Sequence, residues 1–179
     1  MKNYDAVAEE RRWRQRETDT GKVPALPEKH YFVHNHVRSR LYEALVRLGC
    51  NGDSYILEIG CGSGEDSQYV GRVSRNLTGV DISQCALKSY VASGFSGILA
   101  DAGKIPFAAD SFDYVLFPAT LHHLVGQSNL VDYVRESVRV VRPHGYVMAL
   151  EPNLFNVSGM LMNIFNTIKP GITGLVPHE

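Results

Sequence analysis

Short β-rich apolar runs alternate with helix-period segments from residue 55 to residue 150, and this alternation restricts the chain more than any other feature. The runs lie at residues 55–59, 77–80, 97–100, 112–117 and 146–150. Between them, residues 65–74, a stretch capped by Ser83 and stopped near Gly94, and residues 128–141 carry helical signals. Tight hairpins cannot join strands that are separated by helices, so the order demands parallel pairing with both faces of the sheet covered. The expected fold class is α/β, a doubly wound sheet. Upstream, Val37, Leu41, Ala44, Leu45 and Leu48 recur at helical spacing and Gly49 supplies the stop. Residues 1–36 form a polar lead with loop signals at Gly21, Pro24 and Pro27. The expected organisation is an N-terminal helical lead or cap at 1–54, a core at 55–153, and a C-terminal helix and tail at 154–179.

Composition excludes several classes of function. Hydrophobic residues make up 44% of the 179, enough for a core, and the formal net charge of -1 offers no electrostatic footprint for nucleic acid. Arg11, Arg12, Arg14 and Arg16 surround Trp13, but Glu9, Glu10 and Glu17 flank them and a solvated helix face is the reading preferred. Cys50, Cys61 and Cys85 lack paired spacing and fit reduced thiols. No uncharged apolar run reaches the roughly 18 residues of a membrane span, and the N-terminus lacks a signal-peptide core. A cytoplasmic protein without membrane contact is expected. His30, His34 and His36 have no carboxylate or cysteine to complete a ligand set, so no metal is expected.

Glu58-Ile59-Gly60-Cys61-Gly62-Ser63-Gly64 lies where the first strand turns into a helix, a place where absent side chains let a ligand approach the backbone. Its spacing is Gly-x-Gly-x-Gly followed by Glu65, unlike the Gly-x-Gly-x-x-Gly loop that seats a pyrophosphate. A glutamate at that point repels a diphosphate. Asp81 ends the second strand, where a carboxylate can accept both hydroxyls of a ribose or cap the turn beside Ser83. Asp101 ends the third, where it can receive the exocyclic amine of an adenine or serve as a solvated turn acid. Three successive strand ends with these residues point to an adenosine ligand without a pyrophosphate, because ligands collect at the carboxyl edge of such sheets.

These motifs closely resemble the class I S-adenosylmethionine-dependent methyltransferases of the small-molecule type. The resemblance rests on the Glu58 to Gly64 loop, Gly79-Val80-Asp81-Ile82-Ser83, Asp101-Ala102 before Ile105-Pro106-Phe107, and Ser111-Phe112-Asp113-Tyr114-Val115. It continues through Leu121-His122-His123-Leu124, Arg139-Val140-Val141-Arg142-Pro143-His144-Gly145 and Glu151-Pro152-Asn153. It implies a Rossmann-like methyltransferase fold with strand order 3-2-1-4-5, S-adenosyl-L-methionine as cofactor, and a small molecule as methyl acceptor. The loop residues Glu58, Gly60, Cys61, Gly62 and Gly64 would serve the methionine moiety. Asp81 would hold the ribose, Ile82, Asp101 and Ala102 the adenine, and the backbone near Phe117 would face the methionine end.

Methyl transfer from a sulfonium is an in-line displacement in which alignment can supply much of the acceleration. Where the acceptor must lose a proton, His122 or His123, just after the fourth strand, is the right kind of group; packing or hydrogen bonding at a helix start is the alternative. Glu151 either meets a substrate or a positive charge, or caps the chain before Pro152. Phe117-Pro118-Ala119-Thr120 lacks the Asn/Asp-Pro-Pro-aromatic motif of family members that methylate nucleobase amines or glutamine amides, which disfavours those substrates. Only 28 residues follow Glu151, so the antiparallel hairpin ending the usual seven-stranded family sheet is expected to be missing, by truncation or in a shortened member. Leu154, Val157, Leu161, Ile164, Phe165 and Ile168 would share one helix face, and a bare fifth strand beside it favours a homodimer. Two other classes stay open: a non-catalytic S-adenosylmethionine-binding or assembly module, and a nicotinamide-dependent oxidoreductase, which Glu65 and the glycine spacing disfavour.

Overall fold

The computed structural model describes residues 28–124 and 130–151, with side chains from Arg38 onward except that of His122. The elements are α1 (Glu28–Arg47), β1 (Ile56–Ile59), α2 (Ser67–Val70), β2 (Leu77–Asp81), α3 (Gln84–Ala92), β3 (Ser96–Leu99), β4 (Phe112–Pro118), α4 (Leu121–Leu124), α5 (Leu130–Val140) and β5 (Val141–Leu150). The strands make one parallel sheet in the order β3-β2-β1-β4-β5, the order expected from the sequence. Chain direction across the sheet reverses between β1 and β4, and loops diverge there to open a crevice at the carboxyl edge.

Every residue of β1 is buried, which explains its lack of polar alternation. Ile56 joins Leu41 and Leu45 of α1 and Tyr114 and Leu116 of β4 in one cluster. Leu57 and Ile59 point to the other face, with Val115 and Phe117 of β4 and Val140 of α5. Period-2 side-chain direction thus splits the core into two layers on either side of the sheet.

Several element limits differ from the sequence expectation. Helix α1 starts at Glu28 rather than near Val37, because no proline or glycine interrupts the chain after Pro27 until Gly49. The expected helix over 65–74 shrinks to Ser67–Val70. Arg72 and Val73 donate to carbonyls three residues back, and Ser74 Oγ donates to Ser54 O at 2.7 Å, pulling the chain toward the amino end of β1. Strand β5 begins at Val141, five residues early, then slips register: Phe112 pairs with Val141, but Tyr114 pairs with Tyr146. The extra residues bulge around His144, whose φ is 67°, and Arg142 Nη1 ties the bulge to Asp113 Oδ1 at 2.8 Å. Residues 154–168, with the expected C-terminal helix, and any terminal hairpin lie outside the described residues. Among the described residues no helix is long and apolar enough to cross a membrane.

Candidate functional site

The carboxyl ends of β1, β2, β3 and β4 surround a solvent-open cleft. Of the site residues expected from sequence, Gly60, Asp81, Ile82, Asp101, Ala102 and His123 line it together. The topology does this: three parallel strands side by side deliver their last residues to one edge.

Asp81 organises that edge. Its Oδ2 accepts the Gly62 N–H at 2.9 Å, and its Oδ1 accepts the Ser83 N–H at 2.8 Å. Ser83 Oγ in turn accepts the Ala86 N–H at 3.2 Å and caps α3. The turn role and the ligand role are therefore compatible, since a carboxylate has about four acceptor positions and the backbone takes two. Asp101 lies two residues past β3, with Oδ1 accepting the Gly103 N–H at 2.8 Å. Much of the lining they share is apolar, with Ile82, Ala100, Ala102, Leu124 and Tyr133 on it. Two acidic acceptors on a largely apolar cleft suit a flat heterocycle joined to a diol.

Of the other expected residues, Phe117, Cys61 and Glu58 are buried and not on this lining. Phe117 is buried in the core cluster below it, and Ala119 and Thr120 reach the cleft in its place. Cys61 packs against Leu87 and Tyr90, and burial pushes its thiol pKa up, so it is a protonated packing group. Glu58 is 1% exposed and accepts a hydrogen bond from Ser67 Oγ. Burial pushes its carboxyl up to about 8, the nearby Asp66 and Asp81 adding to the rise and the Ser67 bond opposing it. Glu58 is accordingly neutral at pH 7 and supports the loop from beneath. Gly62 and Gly64 belong to the loop but not to the lining.

Other contributors were hidden from the sequence reading. Thr120 Oγ1 stands within hydrogen-bond reach of Ile59 O and Pro118 O, at 3.1 and 3.0 Å, and a Cβ on Gly60 would lie 2.4 Å from its Cγ2. Gly60, whose φ is 71°, thus makes room for Thr120 as well as for a ligand. On α5, Glu136 Oε2 accepts the Ile105 N–H at 3.0 Å, and Arg139 donates to Phe107 O and Ile105 O at 2.8 and 3.0 Å. Hydrogen bonding from Arg139 holds the Glu136 carboxyl below its usual range. This pair fixes the segment following Asp101 and Ala102. Arg139 was legible only as part of a motif; its partner chemistry needed the fold. His123 lines the cleft, while the side chains of His122 and of the histidines at 30, 34 and 36 lie outside the described set.

Comparison with known proteins gives the same picture. The model of the family described as "Methyltransferase domain" matches residues 57–149, more than half of the chain. A tRNA (carboxymethyluridine(34)-5-O)-methyltransferase of Arabidopsis thaliana is 35% identical over 96 residues, 53% of this chain and 23% of that protein. A probable S-adenosylmethionine-dependent methyltransferase of Mycolicibacterium smegmatis is 27% identical over 139 residues, 76% of this chain and 51% of its own length. The phthiotriol/phenolphthiotriol dimycocerosates methyltransferase of Mycobacterium tuberculosis is 30% identical over 118 residues, covering 63% and 43%. The chain therefore spans about half or less of the length of these curated relatives. Among solved structures, the YcgJ protein of Bacillus subtilis shares the fold with a TM-score of 0.60 at 21% identity, over 75% of this chain and 59% of that one. With its parallel order 3-2-1-4-5, its glycine loop and its family match, the chain belongs to the class I S-adenosylmethionine-dependent methyltransferases.

Proposed function

We propose that the chain binds S-adenosylmethionine in the carboxyl-edge cleft and that the whole protein moves its methyl group to a small-molecule acceptor. The observation that carries this reading is the meeting of Gly60, Asp81, Ile82, Asp101 and Ala102 on one cleft. These residues suit the group: two acidic acceptors and apolar side chains share the lining, which among the described residues holds no lysine or arginine to call for a diphosphate. Asp81 would accept the ribose hydroxyls, Asp101 the adenine amine, and Ile82 and Ala102 would cover the adenine faces. The Gly60 to Gly64 loop would lie along the methionine. When bound, the sulfonium supplies an activated methyl group for displacement. The chain's own work is to bind, exclude water and align; His123, on the cleft wall, is placed to take a proton from an acceptor that must lose one.

A small molecule is favoured over RNA as acceptor for two reasons. The formal net charge of -1 gives no excess of cations for phosphates, and the match to the tRNA enzyme spans only 23% of that protein. The phthiotriol/phenolphthiotriol dimycocerosates methyltransferase of Mycobacterium tuberculosis aligns over 63% of this chain, against 53% for the tRNA enzyme. Transfer of a labelled methyl group from S-adenosylmethionine to metabolite extract, with bulk tRNA in a parallel reaction, tests the proposal. Label in an extractable small molecule is expected. Label in tRNA alone would overturn the acceptor class, and no calorimetric binding of S-adenosylmethionine would overturn the donor.

A further inference from the structure

We propose that Glu151 is a positioning residue of the transfer site, holding the turn between β4 and α4 in the shape that walls the donor cleft; the proposal rests on the donor reading of that cleft. Glu151 lies one residue past β5, and its Oε1 accepts the N–H groups of both Thr120 and Leu121, at 3.0 and 2.7 Å. These amides open α4, a helix of four residues, where the first N–H groups have no partner within the helix. Neighbouring bonds extend the tie: Ala119 N donates to Leu150 O at 2.6 Å, and Thr120 Oγ1 reaches Ile59 O on β1. One turn thus joins the carboxyl ends of β5, β4 and β1.

The turn needs this restraint. Ala119 has φ 50°, a region that a residue with a Cβ adopts only when its surroundings enforce it. Ala119, Thr120 and His123 all line the cleft, so a carboxylate outside the lining sets one of its walls and the direction His123 faces. A neutral amide at position 151 would keep a carbonyl acceptor for both N–H groups; an aliphatic side chain would keep none. The bond to a charged acceptor is the stronger, but the shape of the wall follows from the acceptor.

The test combines calorimetric titration with S-adenosylhomocysteine and amide hydrogen exchange at Thr120 and Leu121, on wild type, Glu151→Gln and Glu151→Leu. Glu151→Leu is expected to weaken binding about tenfold, the scale of one lost charged hydrogen bond, and to speed exchange at both amides. Glu151→Gln is expected to stay within about threefold of wild type. Ser74→Ala, which removes a buried bond at the amino end of the sheet, serves as a destabilised control with unchanged affinity. Wild-type affinity in Glu151→Leu, or equal losses in the Gln and Leu variants, would overturn the role. Should Glu151→Leu fold poorly, Glu151→Met, which is unbranched and likewise offers neither N–H group an oxygen acceptor, is expected to weaken binding to a similar extent, and unchanged binding would count against the clamp. A wild-type chain that ignores S-adenosylhomocysteine overturns the donor reading and with it the role, while amide exchange still reports whether the clamp exists, which keeps the two failures apart.

Discussion

Folding changes the acid chemistry of Glu58. An acid in the middle of a buried parallel strand has little solvation, and its carboxyl rises from 4.5 to about 8. Between those two values the folded protein keeps a proton that the unfolded chain releases. Stability therefore falls as pH rises through this window, by up to about 1.4 kcal/mol per unit from this one group, and levels off above it. Glu58→Gln keeps the neutral shape and removes the titration. Urea unfolding at pH 5.5, 6.5 and 7.5, values chosen at roughly unit steps inside the window, should show a shallower decline in the variant than in wild type. Parallel declines would mean that Glu58 keeps its charge when folded. Gly60 makes a second residue-scale case: Gly60→Ala places a Cβ against Thr120 at a backbone φ of 71°. The left-handed backbone should cost roughly 1–2 kcal/mol and overpacking roughly 1–3 more, read as a lower urea midpoint. The sequence disclosed these residues as a motif but not their tasks. That Glu58 would be neutral, and that Gly60 would yield to Thr120, depends on neighbours nine and sixty residues away.

At the scale of elements, α1 is fastened to the core in two ways. Leu41 and Leu45 enter the apolar layer under β1, and Arg38 bonds to Glu65 and to Asp66, the latter at 3.0 Å. Arg38 is only 14% exposed, so its pairing is better shielded than an ordinary surface bridge. Glu65 and Asp66, beside the start of α2, are held together by a cation from another helix. Arg38→Gln should lower stability by about 1–3 kcal/mol, and by less near 1 M salt, where charges are screened within about 3 Å. A salt-independent loss would point to packing of the arginine stem. Strand positions were legible because burial on both faces leaves largely apolar runs, as in Ile56–Ile59, where Glu58 is the one interruption. Helix limits were less so: the short α2 reflects Ser74 bonding back to Ser54, a contact with no local signature. The β5 slip is similar, since the bulge is set by Asp113 on the neighbouring strand.

At the scale of the whole molecule, order 3-2-1-4-5 puts the strand-end residues that line the cleft at one end of the sheet, so donor binding should couple to global stability. Asp81, Asp101 and the glycine loop were readable in advance because each lies at the carboxyl end of its own strand. Thr120 and Tyr133 were not, and Glu151 was read only as a substrate contact or a cap before Pro152, because the lining role of the first two and the partners of the third depend on how β4, α5 and β5 stack. A ligand that binds only the folded chain at 100 times its dissociation constant adds about 2.7 kcal/mol, which for a domain of this size raises the melting midpoint by roughly 5–10 °C. S-adenosylmethionine and S-adenosylhomocysteine should each produce such a rise, and NAD should produce none. Asp81→Ala will lower the ligand-free midpoint as well, since Gly62 and Ser83 lose their acceptor. The quantity to compare is therefore the ligand-induced rise within each protein. A tenfold loss of affinity at the same ligand concentration leaves about 1.4 kcal/mol, so the rise in the variant should be about half that of wild type. An undiminished rise would remove Asp81 from the donor site, even if the variant melts earlier without ligand.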